Sequence, residues 1–280
     1  MNFTKMQGTG NDFILIDALH QKTEGLDWPE LSKSWCDRHF GIGADGVMLV
    51  LPSKTADLQM KIFNADGSEA EMCGNGIRCF AFFAWQQKLV TQKRFSVETL
   101  AGIMVPTLND LSERKAMVTI DMGTPLLNPS QIPVNTPLAE PILNLPLEVG
   151  SRTYSVSAIG MGNPHAILFV DHTKGFPVTT IGPMIEHHPL FPKRTNVEFI
   201  EILSPDEFNM RVWERGAGET LACGTGTCAA TVAGILQGKL NDTVTVHLLG
   251  GDIQVSWKDH DHVFMTGPAE VVFEGKKTTN

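Results

Sequence analysis

The feature that most constrains the fold of this chain is a cysteine-glycine turn that occurs twice. Cys73 lies in the segment NADGSEAEMCGNGIRCFAFFA, and Cys223 lies in the segment ERGAGETLACGTGTCAATVA. In both segments a stretch with acidic residues leads into Cys-Gly-x-Gly, and an apolar stretch typical of a buried helix follows. Two such turns in one chain indicate that a structural unit has been duplicated.

A second motif repeats in the same order. GTGNDFILID begins at Gly8 and GMGNPHAILFVD begins at Gly160, 152 positions later. The two cysteines are 150 positions apart, so the Gly-x-Gly-Asn turn precedes the cysteine turn by nearly the same distance in each copy. Because both the motifs and their order are kept, we expect two pseudo-symmetric domains with the functional site in the cleft between them.

The remaining sequence is mainly typical of short strands, and few segments favour a helix. Strands are predicted for FILIDA, GVMLVL, LQMKIF, AMVTIDM, HAILFVD, VEFIEIL, FNMRVWE and TVTVHL. Helices are predicted for WPELSKSWCDRHF and for the stretches that follow the two cysteine turns. Six prolines from Pro125 to Pro146 predict a connecting loop. We therefore expect an α+β fold with an N-terminal domain of residues 1–117, completed by 264–280, and a C-terminal domain of residues 118–263.

Composition limits the classes of partner. The 280 residues carry a formal net charge of −9, and no cluster of Lys and Arg forms the basic stripe typical of nucleic-acid binding. The N-terminus lacks the apolar stretch of a signal peptide, and no segment approaches the roughly 20 apolar residues of a membrane span. We expect a cytoplasmic protein that binds neither nucleic acid nor membranes.

The cysteines indicate reduced thiols rather than disulfides or a metal site. Five cysteines are an odd number. Cys73 and Cys79 have five residues between them and Cys223 and Cys228 have four, and at about 100° per residue neither pair falls on one face of a helix, as a pair of zinc ligands there would. We interpret Cys36, Cys79 and Cys228 as buried apolar residues. The two Gly-x-Gly-Asn turns and the two cysteine turns lack GxGxxG and GxxxxGK[ST], and no lysine for pyridoxal phosphate stands within either cysteine turn. No metal and no cofactor are expected.

A cysteine at the start of a helix has a specific chemical use. A helix N-terminus carries about half a positive charge, which lowers the pKa of a thiol and binds a carboxylate. Glycines in the turn let the backbone approach a ligand closely. If two such turns face each other, one thiolate removes a proton from the carbon beside a bound carboxylate, and the opposite thiol delivers a proton to the other face. That sequence of events inverts a stereocentre.

The same segments resemble those of a known family. MQGTGNDFILID, FNADGSEAEMCGNGIRC, GMGNPH and ERGAGETLACGTGTCAA resemble the signature segments of the diaminopimelate epimerases, and the similarity extends to MTGPAEVVFEG near the end of the chain. The resemblance implies that each domain wraps a central helix. It also implies a cofactor-independent homodimer that interconverts LL- and meso-2,6-diaminopimelate in lysine and peptidoglycan precursor biosynthesis. Cys73 and Cys223 would alternate as base and acid.

The resemblance further implies a set of binding residues. The carboxylate at the reacting carbon is expected to bind the backbone N–H groups of Gly74, Asn75, Gly224 and Thr225. The far end of the substrate is expected to bind Asn11, Asn64, Asn163, Asn196, Glu214 and Arg215. Amide and guanidinium groups suit this task because they donate hydrogen bonds to carboxylates. His165 and Glu214 would tune the thiols through their charge.

The sequence departs from this family pattern at two positions. Gly46 stands where some members have a glutamine that contacts the substrate, so a contact there would have to come from the backbone or from water. Phe273 stands where some members have a tyrosine that contacts the partner subunit, which removes one hydroxyl group from the expected homodimer interface.

Three other functions remain open from the residues alone. Another amino-acid racemase would keep both cysteines, but the far-end residues favour a substrate with a second amino-acid group. A thiol redox protein normally has a resolving cysteine close in sequence, as in CxxC, whereas Cys73 and Cys223 are far apart. A binding module without catalysis would need neither thiol.

Overall fold

The computed structural model describes residues 1–278, and within them the chain forms two compact units. The first unit consists of Met1–Ile120 and the segment that begins at Thr266, and the second consists of Asp121–Met265. The described residues contain four α-helices and 18 β-strands. The α+β fold expected from the sequence is therefore confirmed. No helix in residues 1–278 is long and apolar enough to cross a bilayer.

The first unit is a strand-rich layer around one long helix. Its elements are β1 (Asn2–Gly8), β2 (Asn11–Asp17), α1 (Trp28–Cys36), β3 (Gly46–Leu51), β4 (Leu58–Asn64), β5 (Glu69–Ala70), α2 (Gly74–Gln86), β6 (Val97–Thr99), β7 (Gly102–Met104), β8 (Thr107–Asn109) and β9 (Lys115–Asp121). The pair β1–β2 is antiparallel, β2–β3 is parallel, β3–β4 is antiparallel and β4–β6 is parallel.

The second unit repeats this order of pairing. Its elements are β10 (Ile142–Val149), β11 (Arg152–Gly160), β12 (Pro164–Phe169), α3 (Val178–Glu186), β13 (Asn196–Ser204), β14 (Glu207–Glu214), β15 (Gly218–Thr220), α4 (Gly224–Leu236), β16 (Thr243–Leu248) and β17 (Gly251–Ser256). The pairs β11–β12, β12–β13, β13–β14 and β14–β16 are antiparallel, parallel, antiparallel and parallel. The expected pseudo-symmetry is thus present in the strand order. The last strand, β18 (Phe264–Lys276), pairs with β1.

The two helices after the cysteine turns are the central helices of their units. Both α2 and α4 have 13 residues, of which ten are buried. A helix that is apolar on all sides is stable only when it is surrounded by protein, which explains why strands enclose each of them. Cys79 and Cys228 lie inside these helices with no exposed surface, and Cys36 is also buried. Their interpretation as apolar core residues is confirmed.

The helix α3 was missed by the sequence analysis. It contains Gly182 and Pro183, two residues that disfavour a helix interior, and no side chain caps its N-terminus. Packing decides this segment, because a Cβ atom at Gly182 would lie only 2.5 Å from Cγ of Trp213. The glycine lets the helix lie directly against that indole ring.

The proline-rich segment is not a loop throughout, so the expectation was wrong at its end. Ile142–Val149 forms β10, and Pro146 pairs with Ser155 of β11. The pairing is irregular between Ile142 and Leu145. Proline prevents only those strand positions whose N–H group must donate to a neighbour, so one proline is compatible with an irregular strand.

Candidate active site

Cys73 and the side chains around it form the first half-site, which we define as Cys73, Gly74, Asn75 and Asn11. Cys73 is the N-cap of α2, with φ −140° and ψ 120°, and its Sγ accepts a hydrogen bond from the N–H of Gly76 at 3.4 Å. Gly74 and Asn75 are the first two residues of the helix. The thiol therefore lies at the positive end of α2, beside the N–H groups expected to bind a carboxylate.

Asn11 contacts the thiol with its amide oxygen. Oδ1 of Asn11 accepts hydrogen bonds from Sγ of Cys73 at 3.5 Å and from Nδ2 of Asn75 at 3.4 Å. Nδ2 of Asn11 donates to Oδ2 of Asp45 at 2.5 Å, and Asp45 is in turn paired with Arg38 at 2.9 Å. Because Asp45 can only accept, this network holds the amide oxygen of Asn11 toward the sulfur.

Asn64 lies outside this group of contacts. It ends β4, is exposed, and donates from Nδ2 to Oγ of Ser68 at 2.9 Å. Its strand partner is Gly46, where an added Cβ atom would lie 2.8 Å from the carbonyl oxygen of Phe63. A side chain at position 46 would require the backbone to shift, so only backbone atoms of Gly46 are available to a ligand.

The sequence analysis missed Arg78, which supports the first half-site. Arg78 has no exposed surface and donates hydrogen bonds to the carbonyl oxygens of Gly74 at 3.2 Å and Pro268 at 3.1 Å, and to Oγ1 of Thr9 at 3.0 Å. It places a fixed positive charge inside the first turn of α2. The available signal was a single charged residue within the apolar segment GIRCFAFF.

Cys223 and the side chains around it form the second half-site, which we define as Cys223, Gly224, Thr225, Glu214, His165 and Asn163. Cys223 is the N-cap of α4, with φ −124° and ψ 111°, and its Sγ accepts from the N–H of Gly226 at 3.4 Å. The sulfur also lies 3.6 Å from Oγ1 of Thr225. The local geometry repeats that of Cys73, but Cys223 is only 5% exposed.

The electrostatic environment of Cys223 opposes ionisation of its thiol. Burial raises the pKa of Cys223 well above its ordinary value, and the negative charges of Glu214 and Glu198 raise it further. Burial also raises the pKa of Glu214, although Oγ1 of Thr220 partly offsets this by donating to its carboxylate at 2.5 Å. The lowering of the pKa expected from the helix terminus is thus outweighed at Cys223.

A buried histidine and glutamate complete the second half-site. Nδ1 of His165 lies 2.7 Å from Oε1 of Glu198, and both side chains are 0% exposed. Nε2 of His165 lies 2.8 Å from Oδ1 of Asn163. The sequence analysis identified His165 and Asn163 but missed Glu198. The only signal for it was one carboxylate in the apolar start of the strand segment VEFIEIL.

Asn196 and Arg215 are brought together, but in a way the sequence did not indicate. Oδ1 of Asn196 accepts from the backbone N–H of Arg215 at 2.9 Å, and its Nδ2 donates to the carbonyl oxygen of Pro164 at 3.0 Å. Asn196 therefore stabilises the turn that carries Arg215. The guanidinium of Arg215 is exposed and donates to the carbonyl oxygen of Lys193 at 3.2 Å.

Within residues 1–278 no group of three or more His, Cys, Asp or Glu residues is arranged to hold a metal ion. Within the described residues none of the five cysteines forms a disulfide bond.

Known proteins resemble this chain over nearly its whole length. The family model described as Diaminopimelate epimerase matches residues 3–127 and 157–272. A diaminopimelate epimerase of Pelotomaculum thermopropionicum is 54% identical over 276 residues, covering 99% of this chain and 98% of the relative. One of Moorella thermoacetica is 55% identical over 276 residues, covering 98% of each chain.

Solved structures with low sequence identity share the fold. A phenazine biosynthesis protein of the PhzF family from Bacillus anthracis has a TM-score of 0.71 at 16% identity, covering 99% of each chain. A probable proline racemase from Agrobacterium radiobacter has a TM-score of 0.70 at 16% identity, covering 100% of this chain and 93% of the other. These similarities concern the fold alone.

Proposed function

This chain belongs to the diaminopimelate epimerase family and interconverts isomers of diaminopimelate, and we propose that it does so with two cysteines and no cofactor. The isomers are LL- and meso-2,6-diaminopimelate, and the enzyme is an amino-acid epimerase. Cys73 and Cys223 act as base and acid, and they exchange these roles when the reaction runs in the opposite direction.

One observation supports this proposal above the others. Each unit begins its central helix with a cysteine at the N-cap, and in both cases the sulfur accepts a hydrogen bond at 3.4 Å from the N–H three residues later. Packing does not require a cysteine at either cap, because Ser, Thr, Asp and Asn are the ordinary residues there. Two thiols in the same structural position suit a reaction that needs one proton acceptor and one proton donor.

The proposed reaction proceeds through a single carbon. The α-carboxylate binds the N–H groups at the starts of α2 and α4, which stabilise negative charge as it develops. One sulfur, as the thiolate, takes the α-hydrogen as a proton, so a C–H bond breaks and an S–H bond forms. The other sulfur gives its proton to the opposite face of the same carbon. One proton is lost and one is gained, so the substrate changes only its configuration.

The far end of the substrate is proposed to bind polar groups of the two half-sites together with Asn64 and Arg215, which lie outside them. Asn11, Asn64, Asn163, Glu214 and Arg215 supply amide, carboxylate and guanidinium groups for a second ammonium and carboxylate. Asn196 belongs to the same set, because its hydrogen bonds with the backbone of Arg215 and Pro164 leave the second N–H of its amide for the substrate. It holds the turn that presents Arg215. His165 and Glu214 set the charge near Cys223.

We also propose that the enzyme is a cytoplasmic homodimer. Cysteines that are not joined in disulfide bonds suit a reducing compartment. Val272 and Phe273 on β18 are 46% and 42% exposed, which gives the first unit an apolar strand surface for a second copy. Light scattering coupled to gel filtration tests this state, and Phe273→Asp is expected to yield monomers. A monomeric wild-type protein would contradict it.

The decisive experiment is incubation of the purified enzyme with LL-diaminopimelate in heavy water without added cofactor. We expect the meso isomer to form with deuterium at the inverted α-carbon, followed by slower labelling of the LL isomer. A protein that converts the substrate only after addition of pyridoxal phosphate or a metal ion would contradict the cofactor-free reaction. Incubation with L-lysine, which lacks the second carboxylate, tests whether the enzyme requires the far end of diaminopimelate for turnover.

A further inference from the structure

The two half-sites differ in what lies behind their helix starts. Glu198 lies 150 positions after Met48, and an added Cβ atom at Gly226 would be 2.5 Å from Oε1 of Glu198. At the equivalent Gly76, the added Cβ atom would be 2.2 Å from Cε of Met48. The same place is therefore filled by a thioether in the first unit and by a carboxylate in the second.

Burying a carboxylate costs free energy, so the presence of Glu198 beside the start of α4 requires an explanation. Glu198 has no exposed surface, and its Oε2 accepts no hydrogen bond from any group in residues 1–278. An apolar side chain fills the equivalent place in the first unit, so the fold itself does not require a charge. Its close contact is with His165, at 2.7 Å. Buried carboxylates of this kind persist when they hold a partner in a defined state.

The hydrogen bonds of His165 define where its protons lie. Nε2 faces the amide oxygen of Asn163 at 2.8 Å, and an amide oxygen can only accept, so Nε2 carries a proton. Nδ1 shares a second proton with Oε1 of Glu198. The buried pair is then neutral as a whole, which is the state that burial favours.

The orientation of Asn163 follows from this arrangement. Because its Oδ1 is bound to the imidazole, its NH2 group lies on the opposite side of the amide carbon, turned away from the ring. Asn163 is only half-buried, unlike His165 and Glu198. An amide held in this way offers two N–H donors to a carboxylate without first having to rotate.

We propose that Glu198 is a positioning residue for the substrate: acting through His165, it fixes the amide of Asn163 with its N–H donors presented to the distal carboxylate. This inference rests on the proposed function, because it assumes that Asn163 binds the far end of diaminopimelate. Glu198 itself touches no reacting atom. The effect that it exerts through His165 is on substrate binding, and it is separate from the effect of its charge on the pKa of Cys223.

The first test uses substitutions at Glu198 and a matched control on the same strand. Glu198→Met introduces the residue that fills the equivalent place in the first unit. The substitution is expected to raise KM for diaminopimelate about tenfold, which corresponds to about 1.4 kcal/mol of binding free energy, and to change kcat less. Glu198→Gln can still hydrogen-bond Nδ1 of His165 and is expected to recover most of this loss. Glu201→Gln is the control, because Glu201 also lies on β13 and pairs with a histidine, the exposed His172, at 3.1 Å.

The second test measures the protons of His165 directly. In ¹⁵N NMR spectra of the unliganded wild-type enzyme, Nε2 of His165 is expected to be protonated, and His165→Asn assigns the signal. An unprotonated Nε2 would overturn the proposal without any variant at Glu198. The kinetic results overturn the proposal if KM for diaminopimelate changes no more in Glu198→Met than in Glu201→Gln. They also overturn it if KM is raised as much in Glu198→Gln as in Glu198→Met. Absence of epimerisation by the wild type would instead refute the proposed function, while the NMR result would stand.

Discussion

Cys73 and Cys223 occupy the same structural position, the N-cap of a 13-residue buried helix, in two units that share one order of strand pairing. What surrounds the two sulfurs is different. Arg78 places a buried positive charge in the first turn of α2, whereas Glu198 and Glu214 place carboxylates near Cys223. The duplicated backbone supplies two equivalent thiols, and the side chains around them make the thiols chemically unequal.

Removal of either catalytic thiol is expected to abolish epimerisation. In the proposed reaction Cys73→Ala and Cys223→Ala each remove one of the two proton carriers, so turnover is expected to fall at least about a hundredfold. The measurement is conversion of LL- to meso-diaminopimelate, and Cys36→Ala, at a buried cysteine outside both half-sites, is the control. Substantial turnover by either catalytic variant would exclude a scheme with two bases.

The reactivity of Cys223 is expected to depend on the charge of Glu214. Since burial and the carboxylates raise the pKa of this thiol, little thiolate exists at pH 7, and alkylation by iodoacetamide should accelerate as the pH rises above about 9. Glu214→Gln removes one negative charge, lowers the pKa of Cys223 and should increase its alkylation rate at pH 8 several fold. Peptide mass spectrometry measures the rate.

Glu219→Gln is the control for this experiment, because Glu219 is paired with Arg211 at 2.6 Å rather than with Cys223. Equal alkylation rates in the Glu214 and Glu219 variants would show that Glu214 does not control the thiol.

Alanine substitutions at Gly76 and Gly226, in the first turns of α2 and α4, are expected to lower the free energy of unfolding by unequal amounts. At Gly76 the new methyl group meets Cε of Met48, the flexible end of an unbranched side chain that can move aside. At Gly226 it meets Oε1 of Glu198, which His165 holds. We expect Gly226→Ala to lower the free energy of unfolding by about 1–3 kcal/mol and Gly76→Ala by less, as measured by urea denaturation. The reverse order would indicate that Glu198 is not held in place.

His247 is expected to stabilise the second unit more in acid than in base. Hydrogen bonds with Asp252 at 2.9 Å and Glu207 at 3.2 Å raise the pKa of His247. A raised pKa in the folded state means that the stabilisation is complete below the unfolded value of about 6.5 and is lost as the pH rises through the folded value. A double-mutant cycle of His247→Gln and Asp252→Asn should give a coupling of up to about 1 kcal/mol at pH 5.5 and less at pH 9. A coupling that does not change with pH would contradict this.

Some of the site could be predicted because chemistry and backbone geometry restrict the residue type. A sulfur at a helix start, glycines beside it and a repeat of 150 positions are compatible with few functions, so the sequence singled out Cys73 and Cys223, and both are helix N-caps in the structure. The buried residues that hold the site in place are not indicated by any comparable sequence pattern. Arg78 and Glu198 lie within apolar segments, and only their contacts distinguish them from misfits in a helix or strand. The helix α3 was missed for a related reason, since its packing against Trp213 outweighs its poor helix propensity.

The sequence by itself determined the fold class, the duplication and the two N-cap thiols, because periodicity and turn chemistry act over a few neighbouring residues. The tertiary structure decided how each polar side chain is used. It turned the amide of Asn196 to the backbone of Arg215, held Asn11 by Asp45, and placed Glu198 behind His165. These choices depend on which donors and acceptors meet when distant strands pair, and on how strongly burial penalises an unpaired charge. Neither the pairing of distant donors and acceptors nor the burial of a charge can be determined from residues that are neighbours in the sequence.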